Sequence, residues 1–367
     1  MKTTAAVATA PKSPFTIEDL ELDAVQPGEL RVRMVASGVC HTDAAVRDQV
    51  YPTPLPLVLG HEGAGIVEEV GAGVEGFAEG DHVILSYNSC GHCRACAEGA
   101  PSYCDTFFEL NIGGARPDGS TALSRDGERV SSHFFGQSSF AQHANVSARC
   151  AVKVDDDAPL ELLGPLGCGI QTGAGAVLNA LQPRPGSSIV IFGAGAVGLS
   201  ALMAAKVSQC SPIIAVDMVP ERLALAEGLG ATHTIFGGQP VAEQIREITG
   251  GGAEYAVDTT AFAPIFGDIV DGLAGRGVLG VVGVTAPGTQ VSFDIGSSLP
   301  KGVTIKTIVE GESVQPVFIP QLMALHAAGL FPFDKLVKTY PFDQINQAFE
   351  DSHSGATIKP VLLFPQD

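Results

Sequence analysis

A chain of 367 residues is too long for one ordinary core and fits two domains, or one domain carrying a large insertion. With 45% hydrophobic and only 17% charged residues, it has ample material for a buried core, and long disordered stretches are excluded. The formal charge of −19 opposes binding to nucleic acid or to an anionic membrane surface, both of which reward clustered Lys and Arg.

The N-terminal stretch MKTTAAVATAPKSPF has no continuous apolar segment and is interrupted by Pro11 and Pro14, so a secretory signal is not expected. No uncharged apolar run of about 18 residues free of Gly or Pro occurs, so no membrane span is expected. A soluble, cytoplasmic protein follows, and its eight cysteines then read as metal ligands or buried thiols before disulfides.

Up to about residue 165, ELRVRMVASGV, GAGIVEEVGAGV and DHVILSY are short alternating segments with Gly-rich corners, which predict a mostly antiparallel, barrel-like domain. SSIVIFGAGAVGLSALMAAKVSQCSPIIAVDM then reads as strand, glycine turn, Ala/Leu-rich helix and strand ending in Asp217. ERLALAEGLGA, AEYAVDTT, FGDIVDGLA and GVLGVVGV continue the alternation of helix and strand, which specifies a parallel sheet covered by helices. After about residue 310 come two helical segments, PQLMALHAAGLF and DQINQAFEDSHSG, and a last strand, ATIKPVLLF. This tail is too short to stand alone and is expected to return to the first domain, making the parallel-sheet domain an insertion.

Three groups of residues point to chemistry. Gly193, Gly195 and Gly198 form G-x-G-x-x-G directly after a strand and at the start of a helix. The first allows the tight turn, the second lets backbone approach a pyrophosphate, and the third allows close helix–strand packing. Asp217, at the end of the next strand, is placed to accept from ribose hydroxyls and to repel a 2′-phosphate, which favours NAD over NADP. The second group is Cys90, Cys93, Cys96 and Cys104, spaced C-x-x-C-x-x-C-x7-C. Four thiolates on one short loop close a tetrahedral shell and predict a structural zinc. Third, Cys40, His61 and Cys168 supply two thiolates and an imidazole from separate segments. Each alone would be an ordinary buried residue, but together they are three ligands with the fourth position left to water or substrate, a catalytic zinc arrangement.

In CHTD, GHEGAG, the four-cysteine lobe, GCGIQTGAG, GAGAVG and Asp217, in that order, the chain resembles the zinc-dependent medium-chain alcohol dehydrogenases over essentially its whole length. HFFGQSSFAQHA and IVEGES look most like the aryl (benzyl) alcohol dehydrogenases and relatives acting on allylic terpenoid alcohols. The resemblance implies an α/β fold: a GroES-like, partly barrelled catalytic domain over 1–169 with a zinc lobe at about 86–110, a Rossmann NAD-binding domain over 170–309, and a return over 310–367. It implies NAD and two zinc ions per chain, and reversible oxidation of a primary alcohol of the benzyl or cinnamyl type to its aldehyde. Family members are dimers or tetramers.

Residue roles follow from the same resemblance. Thr42 would pass the substrate's proton to the nicotinamide ribose, Asp43 would orient His61, and Glu62 would lie close to the catalytic metal. His41 and Lys359 would contact the pyrophosphate, Thr172 and Val197 would flank the nicotinamide, and Arg222 would lie near the adenosine ribose. Tyr51, Phe140, Val284 and Val309 would line the substrate channel. Two departures stand out. His41 and Lys359 replace arginines common in relatives, and Ala45 stands where the best-known members carry a proton-exporting His. A glutathione-linked formaldehyde dehydrogenase is the nearest rival, because the insert between Cys104 and Phe134 is long. A non-catalytic NAD-binding protein of the same fold is the alternative of another class.

Overall fold

The computed structural model describes residues 1–238 and 240–365. The chain divides into two compact units: Met1–Cys168 with Val314–Gln321 and the segment from Asp334 onward, and Gly169–Ser313 with Leu322–Phe333. The return to the first unit is therefore broken and begins later than the tail's composition suggested. Residues 310–313 stay with the second unit because Gly311 is packed against Gly175, where an added Cβ would lie 2.2 Å from the Gly311 carbonyl oxygen. Residues 322–333 also belong to the second unit.

Strands follow in chain order as Lys2–Ala8 (β1), Thr16–Leu22 (β2), Glu29–Gly38 (β3), Leu57–Val58 (β4), Gly63–Val70 (β5), His82–Leu85 (β6), Leu123–Arg125 (β7), Glu128–Val130 (β8), His143–Ser147 (β9) and Ala151–Val154 (β10). The second unit adds Ile189–Phe192 (β11), Ile213–Asp217 (β12), His233–Phe236 (β13), Ala253–Asp258 (β14), Leu273–Val281 (β15) and Thr304–Thr307 (β16), and the tail adds Val337–Pro341 (β17) and Lys359–Leu363 (β18).

The first unit holds two sheets, ordered β4-β1-β2-β7-β8 and β10-β6-β5-β3-β18-β17, with β9 also paired to β3. In β3, Leu30, Val32, Met34 and Ala36 are buried and Arg31, Arg33 and Val35 are less so, the period of two that the sequence shows. The last strand closes this sheet: Val361 pairs with Gly38 and Leu363 with Ala36, antiparallel to β3. The second unit is one parallel sheet ordered β13-β12-β11-β14-β15-β16. Its central strand β11 reads IVIF and is wholly buried, as a strand covered on both faces should be.

A buried ion cluster anchors the long insert of the first unit. Arg116 Nε donates to Glu29 at 2.6 Å, and its two Nη groups donate to Asp23 at 3.0 Å. His133 Nε2 meets the same Glu29 oxygen at 2.8 Å. Burial pushes the Glu29 carboxyl up, but hydrogen bonds from His133 and Arg116 outweigh it and hold the group at about 2. Since that value is depressed below the ordinary 4.5, its stabilisation is complete above pH 4.5 and is lost as the pH falls through about 2. We expect Glu29→Gln, which strips a buried arginine of its carboxylate, to destabilise the first unit by about 3 kcal/mol. An acid titration of thermal unfolding checks this: the wild-type advantage over the variant should shrink from pH 4.5 downward.

Candidate active site and metal centres

The helix His41–Arg47 begins where β3 ends, and its first turn builds the site. Asp43, fully buried, accepts from the Cys40 amide at 3.0 Å, so it closes the helix start around Cys40. Its other oxygen accepts from the Gly60 amide at 3.0 Å and from His61 Nδ1 at 2.9 Å. An ionised carboxylate only accepts, so Nδ1 carries the ring proton and Nε2 presents its lone pair. Gly60 is required there: its φ is +91°, and a Cβ would lie 2.5 Å from the Phe140 nitrogen.

His61 Nε2 is buried without a hydrogen-bond partner. The Cys40 and Cys168 sulfurs and a Glu62 oxygen lie with a His61 ring nitrogen inside a span of 4.8 Å. Two thiolates, an imidazole and a carboxylate around an orphaned nitrogen fit a zinc ion and do not fit Mg²⁺ or Ca²⁺, which favour oxygen. The electrostatics agree. Cys40 is held well below the ordinary thiol range by its hydrogen bond from Cys168 and, against burial, by His61. Burial pulls His61 down, yet Asp43 and Cys40 raise it well above its usual value. The pocket thus concentrates negative charge where a cation fits.

Thr42 is half-buried, with its hydroxyl 3.7 Å from the Cys40 sulfur. His41 is exposed at the helix start and Ala45 is buried on it. Lys359 sits behind the ligands. It is only 3% exposed, and its Nζ donates to Glu62 at 2.8 and 2.9 Å and to the Val39 carbonyl at 3.1 Å. Burial raises the Glu62 carboxyl above its ordinary value although Lys359 opposes the shift.

Phe140 is fully buried and packs with Phe15 and Phe349, at ring distances of 6.0 Å to each. The aromatic residues that do meet the site are Phe135, stacked on His61 at 4.5 Å, and Phe134, edge-on at 5.3 Å. Sequence reasoning missed both. Their segment is turned by left-handed backbone at His133, Phe135 and Ser138, with φ of 62°, 53° and 56°. Gln137 locks it, donating to the carbonyls of His61 and Ser86 and accepting from the Gly63 amide. Among the remaining channel candidates, Tyr51 is half-buried against the first unit's core, 6.2 Å from Phe108. Val284 is 43% exposed and Val309 half-buried, both in the second unit.

The four-cysteine lobe is equally ready for a cation. The sulfurs of Cys90, Cys93, Cys96 and Cys104 lie within 4.8 Å of one another, with Cys90–Cys96 and Cys93–Cys104 each at 4.0 Å. A tetrahedral zinc with bonds near 2.3 Å needs sulfurs about 3.8 Å apart. Backbone amides of His92 and Cys93 point at Cys90, and that of Cys90 at Cys104, as suits thiolates. Burial first, then the neighbouring Cys93 and Cys104, push Cys96 up to about 12, the mark of too many thiols for the charge on hand.

In the second unit, Gly193 has φ +90°, and a Cβ there would lie 2.5 Å from Thr259 Oγ1. A Cβ on Gly198 would lie 1.7 Å from the Gly193 carbonyl, while over Gly195 there is open space. Gly193 and Gly198 leave no room for a side chain, and the space over Gly195 is where a pyrophosphate would approach the helix Ala196–Val207. Asp217 leans over the turn, accepting from the Ala194 amide at 2.6 Å and the Val219 amide at 2.9 Å, with lone pairs remaining for ribose hydroxyls. Arg222 is half-buried, and its Nε has no partner. Val197 opens that helix's first turn, its carbonyl 1.9 Å from where a Gly173 Cβ would be. Thr172 is buried and donates to Glu310 at 3.3 Å.

Family models for the alcohol dehydrogenase GroES-like domain and for zinc-binding dehydrogenase match residues 26–156 and 196–327. The chain belongs to the zinc-dependent alcohol dehydrogenase family. It is 46% identical to a geraniol dehydrogenase of Castellaniella defragrans over 98% of its own length and 97% of the relative's. The crystal structure of benzyl alcohol dehydrogenase from Acinetobacter calcoaceticus superposes with a TM-score of 0.97 at 49% identity, covering all of both chains. That of an alcohol dehydrogenase zinc-binding domain protein from Burkholderia ambifaria gives 0.98 at 56%, again over both whole chains. Membership confirms the GroES-like and Rossmann architecture and the use of zinc and NAD. Among the described residues, no helix is long and apolar enough to cross a membrane. In this alcohol dehydrogenase we expect Asp43→Asn to weaken the catalytic zinc 10- to 100-fold, roughly the cost of losing a ligand-orienting carboxylate. Elemental analysis after dialysis against a mild chelator should then find two zinc ions per wild-type chain and only the lobe's ion in the variant.

Proposed function

We propose that the protein oxidises aromatic or allylic primary alcohols to aldehydes, reversibly and with NAD. The observation that carries this reading is the aromatic wall that starts on the metal ligand itself. From Phe135 on His61, ring contacts run to Phe107 at 6.3 Å, on to Phe108 at 6.2 Å, and from there to Tyr51 at 6.2 Å. Planar unsaturated substrates gain from ring faces and edges what a small aliphatic alcohol cannot. The names of two relatives, a geraniol and a benzyl alcohol dehydrogenase, support the same class.

Bound zinc supplies a Lewis acid for the alcohol oxygen, and NAD supplies the hydride acceptor. The chain's residues do the rest. Thr42, beside Cys40, accepts the hydroxyl proton from the substrate. Asp43 holds His61 in one tautomer and one orientation. Glu62 and Lys359 set the charge behind the ligands. Exposed His41, at the helix start, is the side chain offered to the pyrophosphate, without the fork an arginine would bring. Buried Ala45 offers no proton exit, so the proton leaves through the ribose and water.

Glutathione-linked formaldehyde oxidation is the second reading, favoured by the long insert alone. The insert's Arg116 is turned inward onto Glu29 and Asp23, which removes it as a partner for an anionic adduct.

A steady-state panel tests the proposal. Benzyl, cinnamyl and geraniol-type alcohols with NAD should exceed ethanol in kcat/KM by at least about tenfold, and NADP should serve poorly. A preference for ethanol or for S-hydroxymethylglutathione would sink it. Thr42→Val should lower kcat on the best substrate by about 100-fold or more, with zinc content unchanged.

A further inference from the structure

A buried acid in the second unit has no part in the chemistry described above. Glu310 is 8% exposed, and its carboxylate accepts from the Thr172 hydroxyl at 3.3 Å and from the Gln171 side-chain amide at 3.4 Å. It follows β16 at the carboxyl end of that strand, where Ile308 still donates to the Val281 carbonyl at 2.9 Å.

The backbone holds this acid in place at some cost. Glu310, Gly311 and Glu312 all sit in the left-handed region, with φ of 50°, 61° and 50°. Two non-glycine residues in that region are each strained by about 1–2 kcal/mol, so the surrounding contacts must over-determine them. They do. A Cβ on Gly311 would lie 2.5 Å from the Gln171 carbonyl, Asn179 donates to the Gly311 carbonyl at 3.0 Å, and Glu312 pairs with Lys306 at 2.8 Å.

The sheet order says what lies nearby. Ligands of an open parallel sheet bind outside the carboxyl ends of its strands. Asp217 puts the adenosine end of the dinucleotide on the β12 side, and the glycine turn after β11 takes the pyrophosphate. In the order β13-β12-β11-β14-β15-β16, the nicotinamide end therefore reaches toward β14, β15 and β16, the side that carries Glu310. The segment Gly169–Gly175 joins the two places: Gly173 abuts Val197 beside the glycine turn, and Thr172 holds Glu310.

We propose that Glu310 is a cofactor-positioning residue whose carboxylate favours the cationic nicotinamide of NAD⁺ over the neutral ring of NADH. The ring carries its positive charge only in the oxidised form, so a fixed negative charge at that end of the cleft discriminates between the two. Hydrogen bonding alone would not.

Direct binding measurements on the purified zinc-loaded protein test this without turnover, by calorimetry for NAD⁺ and by fluorescence for NADH. Glu310→Gln keeps shape and hydrogen bonding and removes the charge. The Kd for NAD⁺ should rise about tenfold, the scale of one lost charge–charge attraction across about 12 Å at an effective dielectric near 20, while that for NADH stays within about twofold. The ratio of the two constants sets the potential of the bound couple, so it should move by about 30 mV. Glu310→Asp keeps the charge and should hold the ratio near its wild-type value even if both affinities weaken. An unchanged ratio in Glu310→Gln, or a ratio that moves equally in both variants, overturns the proposal.

Discussion

The buried carboxylate of Asp43 is the constraint on which the active site depends. One of its oxygens fixes the backbone at Cys40, and the other fixes both the backbone at Gly60 and the ring of His61. Two ligands from segments twenty residues apart are therefore set by one side chain with no exposure to solvent. A carboxylate in such a place is tolerable only because three donors satisfy it. That requirement also makes it specific: any slip of the helix His41–Arg47 against the Gly60 corner would leave a buried charge partly unpaired.

Buried ion pairs recur in the first unit. Glu29 with Arg116 and His133, and Glu62 with Lys359, each put opposite charges where hydrocarbon would cost less desolvation. Their positions give the reason. His133 is the residue just before Phe134 and Phe135, so the Glu29 cluster holds the turn that presses two rings on His61. Lys359 begins the last strand, so its bond to Glu62 fastens that strand to the metal ligands and offsets part of their negative charge.

Legibility from sequence varied with how local the determinant is. The glycine turn, Asp217 and the four-cysteine lobe are written in short windows whose spacing is itself the geometry, and all were readable as sites. Cys40, His61 and Cys168 come from three separate segments, and no spacing rule joins them; the kinds of donor and the resemblance to a family did so. The bond from Lys359 to Glu62 was not legible, because sequence does not tell which way a cation at the start of a strand points. The rings of Phe134 and Phe135 on His61 were not anticipated. Four left-handed residues within six positions, His133, Phe135, Gly136 and Ser138, break the alternation from which facing is inferred. The boundary expected at 309 lies four residues before Ser313, where the second compact unit's first segment ends, and a Gly–Gly contact across 136 positions holds Gly311 to Gly175.

The two replacements in the proton and phosphate machinery can be read together. Ala45 removes a titratable group from the helix His41–Arg47, Lys359 is bonded to Glu62, and His41 is exposed at the helix start. None of the three is bonded to Asp43, whose partners are Cys40, Gly60 and His61. The orientation of the ligand ring is therefore set by burial and by Asp43, apart from the groups expected to handle the cofactor's phosphates and the departing proton.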